Sequence, residues 1–329
     1  MNFILQSIAK MNIKKGFEYA AAIAEKTGKN KLLVACDMAL CGLKYGAAPL
    51  DYMTFEMYNL PSSSRKTYVT RAINNKMVRK YNDYNYIHFF KSKLEFAEKF
   101  RGFLGRQTIN LEKASKEEFK EFLKGKKSVI VKPADGTCGV GVEAVNIEVS
   151  TDIDVLYNTL RKNRQFAVEE RVVQHSEMSR LHPHCVNTAR LVTVLTDKGA
   201  DIIYGFLRIG NGRCVDNFNA QGMASPIDIE TGRLKYNASD KAGNIFEFHP
   251  ITNVKIKDFQ LPNFEICKEL VKKASAVVPQ VGYVGWDVAI TEKGAVLIEG
   301  NYYPGHDILQ MPVYVPDKIG YRPIFDKYL

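Results

Sequence analysis

The chain has 329 residues, 46% hydrophobic and 25% charged, with a formal net charge of +10, the profile of an ordinary soluble globular protein with one large or two modest domains. No stretch reaches the roughly 18–20 uninterrupted apolar residues of a membrane span; the best candidate, 32–50, is broken by Asp37, Lys44 and Pro49. The N-terminus lacks the pattern of a signal peptide, and six scattered cysteines without a CxxC pair predict free thiols in a reducing, cytoplasmic setting and argue against a zinc site.

Residues 1–90 read as a mostly helical, basic region, broken at Leu60-Pro61-Ser62-Ser63-Ser64, with a loop expected at 81–86. Residues 1–100 carry a net charge of +8 and the remaining 229 only +2. The densest run, Arg65, Lys66, Arg71, Lys76, Arg79 and Lys80, reads as a solvated helical face or as a surface drawn to something anionic: a nucleotide, an acidic sugar or a bilayer. Sequence-specific nucleic-acid binding is not expected, because no recognisable module accompanies the charge.

From about residue 91 the pattern becomes α+β. One amphipathic helix is expected over Lys93–Phe103. Ser115-Lys116-Glu117-Glu118 has capping-box spacing and opens a short helix that Gly125 ends. Ser128–Pro133 reads as a buried strand, Phe166–Val173 as a second, and Ala189–Leu195 and Asp201–Ile209 as two more around the turn Asp197-Lys198-Gly199. Cys267, Leu270, Val271, Ala274, Val277 and Val278 recur at helical spacing between Phe264 and Val278.

The chemistry-bearing positions fall along this second part. Lys132 ends a strand and is followed by Asp135-Gly136-Thr137-Cys138-Gly139-Val140-Gly141, a Gly-rich hairpin whose backbone N–H groups can close over an anion. It is not a Walker A loop. Glu169 and Glu170 stand at the end of a strand, either simply solvated or part of a hinge meeting a nucleotide. Arg190 opens a strand, where its fork suits a structural ion pair or a carboxylate or phosphate. Arg208 is a second cation, followed by the polar stretch Asp216–Asn219. His175, His182 and His184 lack zinc-motif spacing and are expected at loop and surface positions. Gly285-Trp286-Asp287-Val288-Ala289-Ile290 and Val296-Leu297-Ile298-Glu299-Gly300-Asn301 flank a turn, so Asp287, Glu299 and Asn301 are expected on one face of a hairpin. Two carboxylates and a carboxamide suit a hard divalent ion such as Mg²⁺. No GxSxG elbow or activated Cys supports a nucleophilic route.

Taken in order, these segments resemble the ATP-grasp superfamily, most closely its sugar-transfer-associated, glutamate-ligase-like group, over roughly residues 90–310. The resemblance implies an ATP-grasp fold of two α+β lobes, 91–173 with the Gly-rich flap and hinge and 174–329 with the metal site, preceded by the helical region 1–90. It further implies that Lys93 and Lys132 hold ATP phosphates under a lid containing Gly136, Thr137, Gly139 and Gly141. Glu169, Glu170 and Val172 would line the adenine hinge, with His175 near the ribose. Asp287, Glu299 and Asn301 would hold Mg²⁺, and Arg190 and Arg208 would steady the transferred phosphoryl group and a substrate carboxylate. Ser92 stands where an Asp-Lys pair is common, and Gly222-Met223 replaces a double Gly.

The implied reaction is ATP-dependent ligation of a small-molecule carboxylate to an amine or sugar acceptor through an acyl phosphate, in polysaccharide or sugar-conjugate assembly and with peripheral association with membrane or glycan machinery. Such chemistry rests on charge neutralisation and positioning. The alternatives are a kinase on the same fold acting on a hydroxyl, and a non-catalytic binding module, which predicts degraded metal ligands.

Overall fold

A computed structural model describes residues 13–135, 140–212 and 222–329. The chain forms two compact units: residues 1–80 with 305–329, and residues 81–304. Gly136, Thr137 and Gly139 of the expected lid, and Asp216–Asn219, lie outside the described residues.

The first unit is helical, with α1 (Ile13–Thr27), α2 (Lys31–Tyr45), α3 (Pro49–Thr54), α4 (Ser62–Arg65), α5 (Arg71–Tyr81) and, after the chain returns, a late turn of helix. Asn30 caps α2, its side-chain oxygen accepting from the backbone N–H groups of Leu32 and Leu33, and Gly46 ends the helix at φ +67°. Val34, Met38 and Cys41 of α2 pack with Ala20, Ile23, Tyr52, Phe55, Tyr68 and Val315. Asp51 is buried, its Oδ2 accepting from Ala48 N and Arg71 N at 2.8 and 2.7 Å, while its Oδ1 meets His306 Nε2 at 3.0 Å. That carboxylate fixes two helix starts and anchors the returning C-terminal segment to them. Arg65, read from sequence as part of a basic face, is half-buried and grips Asp37 bidentately at 2.7 and 2.8 Å.

The second unit holds two antiparallel sheets. One is ordered β1-β4-β2-β3, from β1 (Thr108–Asn110), β2 (Ser128–Lys132), β3 (Glu143–Asn146) and β4 (Ala167–Glu170). The other is ordered β11-β10-β5-β6-β7-β8-β9. It comprises β5 (Thr188–Thr196), β6 (Gly199–Ile209), β7 (Met223–Pro226), β8 (Ala238–Ser239), β9 (Ile245–Phe246), β10 (Tyr283–Thr291) and β11 (Gly294–Asn301). Period-two alternation divides the first sheet cleanly. Val129, Val131 and Val168 point to a core with Phe119, Leu123, Tyr157 and Leu160, whereas Ile130, Lys132, Ala167 and Glu169 share the opposite face.

Several expected elements are shorter than their sequence pattern. The helix expected over Lys93–Phe103 is α-helical only over Lys93–Lys99, after a four-residue helix at His88–Lys91, and tightens to a 3₁₀ turn at Arg101–Phe103. The backbone leaves the α region at Phe100, φ −104° and ψ 19°. The phenylalanine ring, fully buried, stacks on Phe96 and meets Trp286 edge-on with centroids 5.5 Å apart, so tertiary packing overrides helical periodicity here. The strand expected over 166–173 ends at Glu170. The Lys116–Leu123 helix carries the expected reciprocal cap between Ser115 and Glu118, and Gly125 follows it at φ +73°.

Candidate functional site

The site is built from the alternation of the large sheet. Pairing sets Asp287 opposite Glu299 on one side and opposite Arg190 on the other, so three adjacent strands present Glu299, Asp287 and Arg190 as one row. A β-bulge between Asp287 and Val288 adds Ile298 to β11, which keeps Glu299 in that row while Leu297 stays in the core. Arg208 of β6 joins from two residues along, its NH1 donating to Asp287 Oδ2 at 2.8 Å. Arg190 donates to both Asp287 oxygens, the NH2–Oδ2 bond at 2.8 Å. Trp286, next to Asp287 and therefore on the opposite face, donates its indole N–H to Thr193 Oγ1 at 2.9 Å, fixing β10 from behind.

Burial works to raise the Asp287 pKa. The two guanidinium groups outweigh it and hold the carboxyl well below the usual carboxylate range. Glu299 goes the other way. Burial first, and then the neighbouring Asp287 charge to which it hydrogen-bonds, raise its pKa. Asn301 Nδ2 donates to Glu299 Oε1 at 3.3 Å and Gly285 O at 3.4 Å. The three oxygen-bearing side chains expected to converge therefore do so. Among the described residues no group of three or more His, Cys, Asp and Glu side chains is placed to hold a metal ion. By ligand type, two acids sharing a hydrogen bond beside a carboxamide fit a hard divalent cation, which would replace the shared proton.

A second cluster sits on the small sheet. Lys132 Nζ meets Glu169 Oε2 at 2.8 Å, and so does Arg106 Nε. Glu169 is thus buried and paired rather than a solvated strand-end acid. Burial raises its pKa, but the charges of Lys132 and Arg106 prevail and bring it to about 2. Arg106 NH1 also donates to the carbonyls of Leu104 at 3.1 Å and Leu297 at 2.6 Å, so this one side chain ties β4 to the strand that carries Glu299. Sequence reading missed Arg106 because it falls in no motif; its partners Glu169 and Leu297 are 63 and 191 residues away.

Lys93 connects the two clusters. Its ammonium lies within electrostatic reach of Glu299, Lys132, Asp135 and Glu169; burial lowers its pKa, and attraction to the acids opposes that without reversing it. Its backbone N–H donates to Ala134 O at 2.9 Å, which ties the first turn of its helix to the loop after Lys132. A cavity of about 250 Å³ opens beside Glu169, lined by Leu94, Ala97, Arg101, Asn110 and Val168. It is smaller than the roughly 300–1,000 Å³ usual for a small-molecule site.

The other sequence-derived candidates are placed differently. Glu170 accepts from Gln107 N at 2.8 Å and pairs with Lys126 at 3.2 Å, and Val172 is half-buried just beyond β4. His175 is not brought to either cluster. Its Nδ1 accepts from Glu177 N at 3.1 Å as an N-cap, and its Nε2 meets Glu292 at the β10–β11 turn. Gly141 has φ +72°, and a Cβ there would stand 2.8 Å from Pro133, so the flap's return requires glycine.

His182 stands in a loop position, as expected, just past the helix Ser176–Leu181, but it is fully buried rather than on the surface. Its Nε2 accepts from Gly212 N at 3.1 Å, and its Nδ1 lies 3.3 Å from Cys185 Sγ. Burial, with the nearby His249 and His184, lowers its pKa. Buried Asn187 donates to Gln174 Oε1, Met178 O and His182 O, and its Oδ1 accepts from Gly210 N. This buried polar knot joins the start of β5 to the end of β6, close in sequence to Arg190 and Arg208. A run of local motifs hid it, since His249 comes from 67 positions away.

The sequence model of the sugar-transfer associated ATP-grasp family matches residues 72–315, about three quarters of the chain, and the chain belongs to that family. Its fold is the α+β ATP-grasp fold, with a helical region ahead of the sheets. Among solved structures the chain is similar to the ATP-grasp ligase PsnB complexed with its minimal precursor, at 12% identity and TM-score 0.43 over 75% of this chain and 62% of that one. It is also similar to D-alanine–D-alanine ligase from Helicobacter pylori, at 13% and 0.43 over 80% and 70%. A third is carboxyaminoimidazole ribonucleotide synthase from Aspergillus clavatus complexed with ATP, at 14% and 0.45 over 75% and 54%. The chain thus spans less than two thirds of the length of PsnB and of the synthase. At these distances the likenesses carry no argument about chemistry. No curated protein matches the sequence.

Proposed function

We propose that this chain is a Mg-ATP-dependent carboxylate–amine ligase acting in sugar-conjugate or polysaccharide assembly. The observation that carries the reading is the row Glu299–Asp287–Arg190, with Arg208 beside it, electrostatically joined through Lys93 to Lys132. Such an alternation of acids and cations suits a triphosphate tail with its counter-ion on one side and an acidic acceptor on the other. Family membership supports the nucleotide, and the family's description supports the sugar setting.

In this reading Lys93 and Lys132 hold phosphate oxygens as point charges. Glu170, Val172 and the backbone after β4 meet the adenine and ribose, and Glu169 orients Lys132. Asp287, Glu299 and Asn301 would hold Mg²⁺, which when bound neutralises phosphate charge. Arg190 and Arg208 present planar forks to the transferred phosphoryl group and to the substrate carboxylate. The carboxylate attacks the γ-phosphorus, ADP leaves, and an amine displaces phosphate from the acyl phosphate. Exclusion of water matters because that intermediate hydrolyses.

The test is phosphate release from Mg-ATP screened against sugar acids and amino acids, with products resolved by phosphorus NMR. ADP, phosphate and an amide are expected. Lys132→Met and Glu299→Gln should each lower turnover by roughly a hundredfold or more. A phosphoester product would instead assign the kinase alternative, and the absence of calorimetric heat with Mg-ATP would remove the nucleotide reading altogether.

A further inference from the structure

The helical unit presents an apolar surface that its own core does not use. Helix α2 buries Val34, Met38 and Cys41 on one face. On another, Leu32, Leu33, Leu40 and Leu43 are 67%, 71%, 61% and 64% exposed, with exposed Cys36 among them. Positions 33, 36, 40 and 43 follow a three-four-three spacing, so they fall on one stripe along a helix about 22 Å long. Exposed single leucines are common, but four on one stripe of one helix are not. Lys31 and Lys44, both exposed, stand at its two ends.

Charge decides what suits this stripe. Residues 1–80 and 305–329 carry sixteen Lys/Arg against eight Asp/Glu, a net charge of +8. Pairing two copies through α2 would bring two such charges together, which self-repulsion opposes. An anionic surface is attracted by the same charge. Among the described residues no helix is long and apolar enough to cross a membrane, so the stripe would lie in the plane of an interface.

We propose that the exposed leucine stripe of α2 is a docking surface for a bilayer carrying anionic headgroups, with Leu33, Leu40 and Leu43 entering the acyl boundary and Lys31 and Lys44 at its ends facing the headgroups. The surface belongs to the helical unit and is independent of the nucleotide reading.

The test is flotation of the full chain with phosphatidylcholine vesicles, with and without about one third phosphatidylglycerol. Binding is expected only with the anionic lipid. It should weaken as salt rises from about 0.1 M to about 1 M, which shortens the Debye length from about 10 Å to about 3 Å. The triple variant Leu33→Ser/Leu40→Ser/Leu43→Ser, all exposed positions, should keep its circular dichroism and melting temperature yet lose binding about tenfold or more. A polarity-sensitive dye on Cys36, with Cys36→Ser as the labelling control, should shift to the blue on anionic vesicles. Absence of flotation, or a concentration-dependent dimer in sedimentation that the triple variant abolishes without any vesicle binding, overturns the proposal. So does a triple variant that floats like the parent, which would leave bare charge attraction only.

Discussion

Replacing Arg106 by methionine isolates the link between the two sheets of the second unit. The guanidinium is buried, with only 4% of the side chain exposed, and Glu169 is 8% exposed. Glu169 has a pKa of about 2 in the fold against 4.5 ordinarily; at about 1.36 kcal/mol per unit, the Lys132–Glu169–Arg106 triad contributes about 3 kcal/mol of stability at neutral pH. The variant leaves Glu169 with Lys132 alone and strips a donor from the carbonyls of Leu104 and Leu297, so a loss of about 3 kcal/mol is expected, within the range for breaking a buried pair. For a unit of this size that is a fall in Tm of roughly 6–12 °C. Trp286, the only tryptophan in the chain, is buried in that unit and reports its unfolding by fluorescence. Because the Glu169 pKa is depressed in the fold, the triad's contribution is complete above about pH 4.5 and fades as pH falls through about 2. The gap between parent and variant should narrow over that window, leaving the part due to the Leu104 and Leu297 carbonyls. A gap under about 1 kcal/mol at pH 7, or one unchanged down to pH 2, refutes the coupling.

Glu299→Gln removes one of two acids that face each other across β10 and β11. It should raise the stability of the ligand-free chain by up to about 1 kcal/mol while abolishing Mg-ATP turnover, and a variant that loses both would mark a structural role only. Gly210→Ala places a Cβ 2.2 Å from Cys185 Sγ and 2.8 Å from His182 Nδ1, so a loss of about 1–3 kcal/mol is expected in urea unfolding. Adding Cys185→Ala should recover part of it; no recovery would show that the clash lies elsewhere. Asn187→Ala leaves the buried Gly210 N–H without its acceptor, while Gln174 Oε1 keeps the backbone N–H of residue 187; it should cost about 1–3 kcal/mol, measured by the same transition.

How much of this was legible varies by element, for physical reasons. The Asp287–Glu299 hairpin could be read because its information is local: alternating apolar residues, a Gly-containing turn and a two-residue interval between Glu299 and Asn301. The Ser115–Glu118 cap was legible for the same reason. The end of the Lys93 helix was not, because Phe100 answers to Trp286, nearly two hundred residues on. The late strands β7–β9 escaped notice since each is two to four residues long, too short for a period to show.

The amino-acid sequence by itself determined the α+β class, the order of the lysines, the glycine-rich segment and the acid pair, because each is written in neighbouring residues or in a family pattern. Only the tertiary structure decided which charges neutralise which. It set two arginines on Asp287, made Arg106 the common partner of β4 and β11, buried His182 beside Cys185, and returned residues 305–329 to the Asp51 carboxylate. Such choices depend on strand register and burial, where a charge must find a partner at hydrogen-bond distance whatever its separation along the chain.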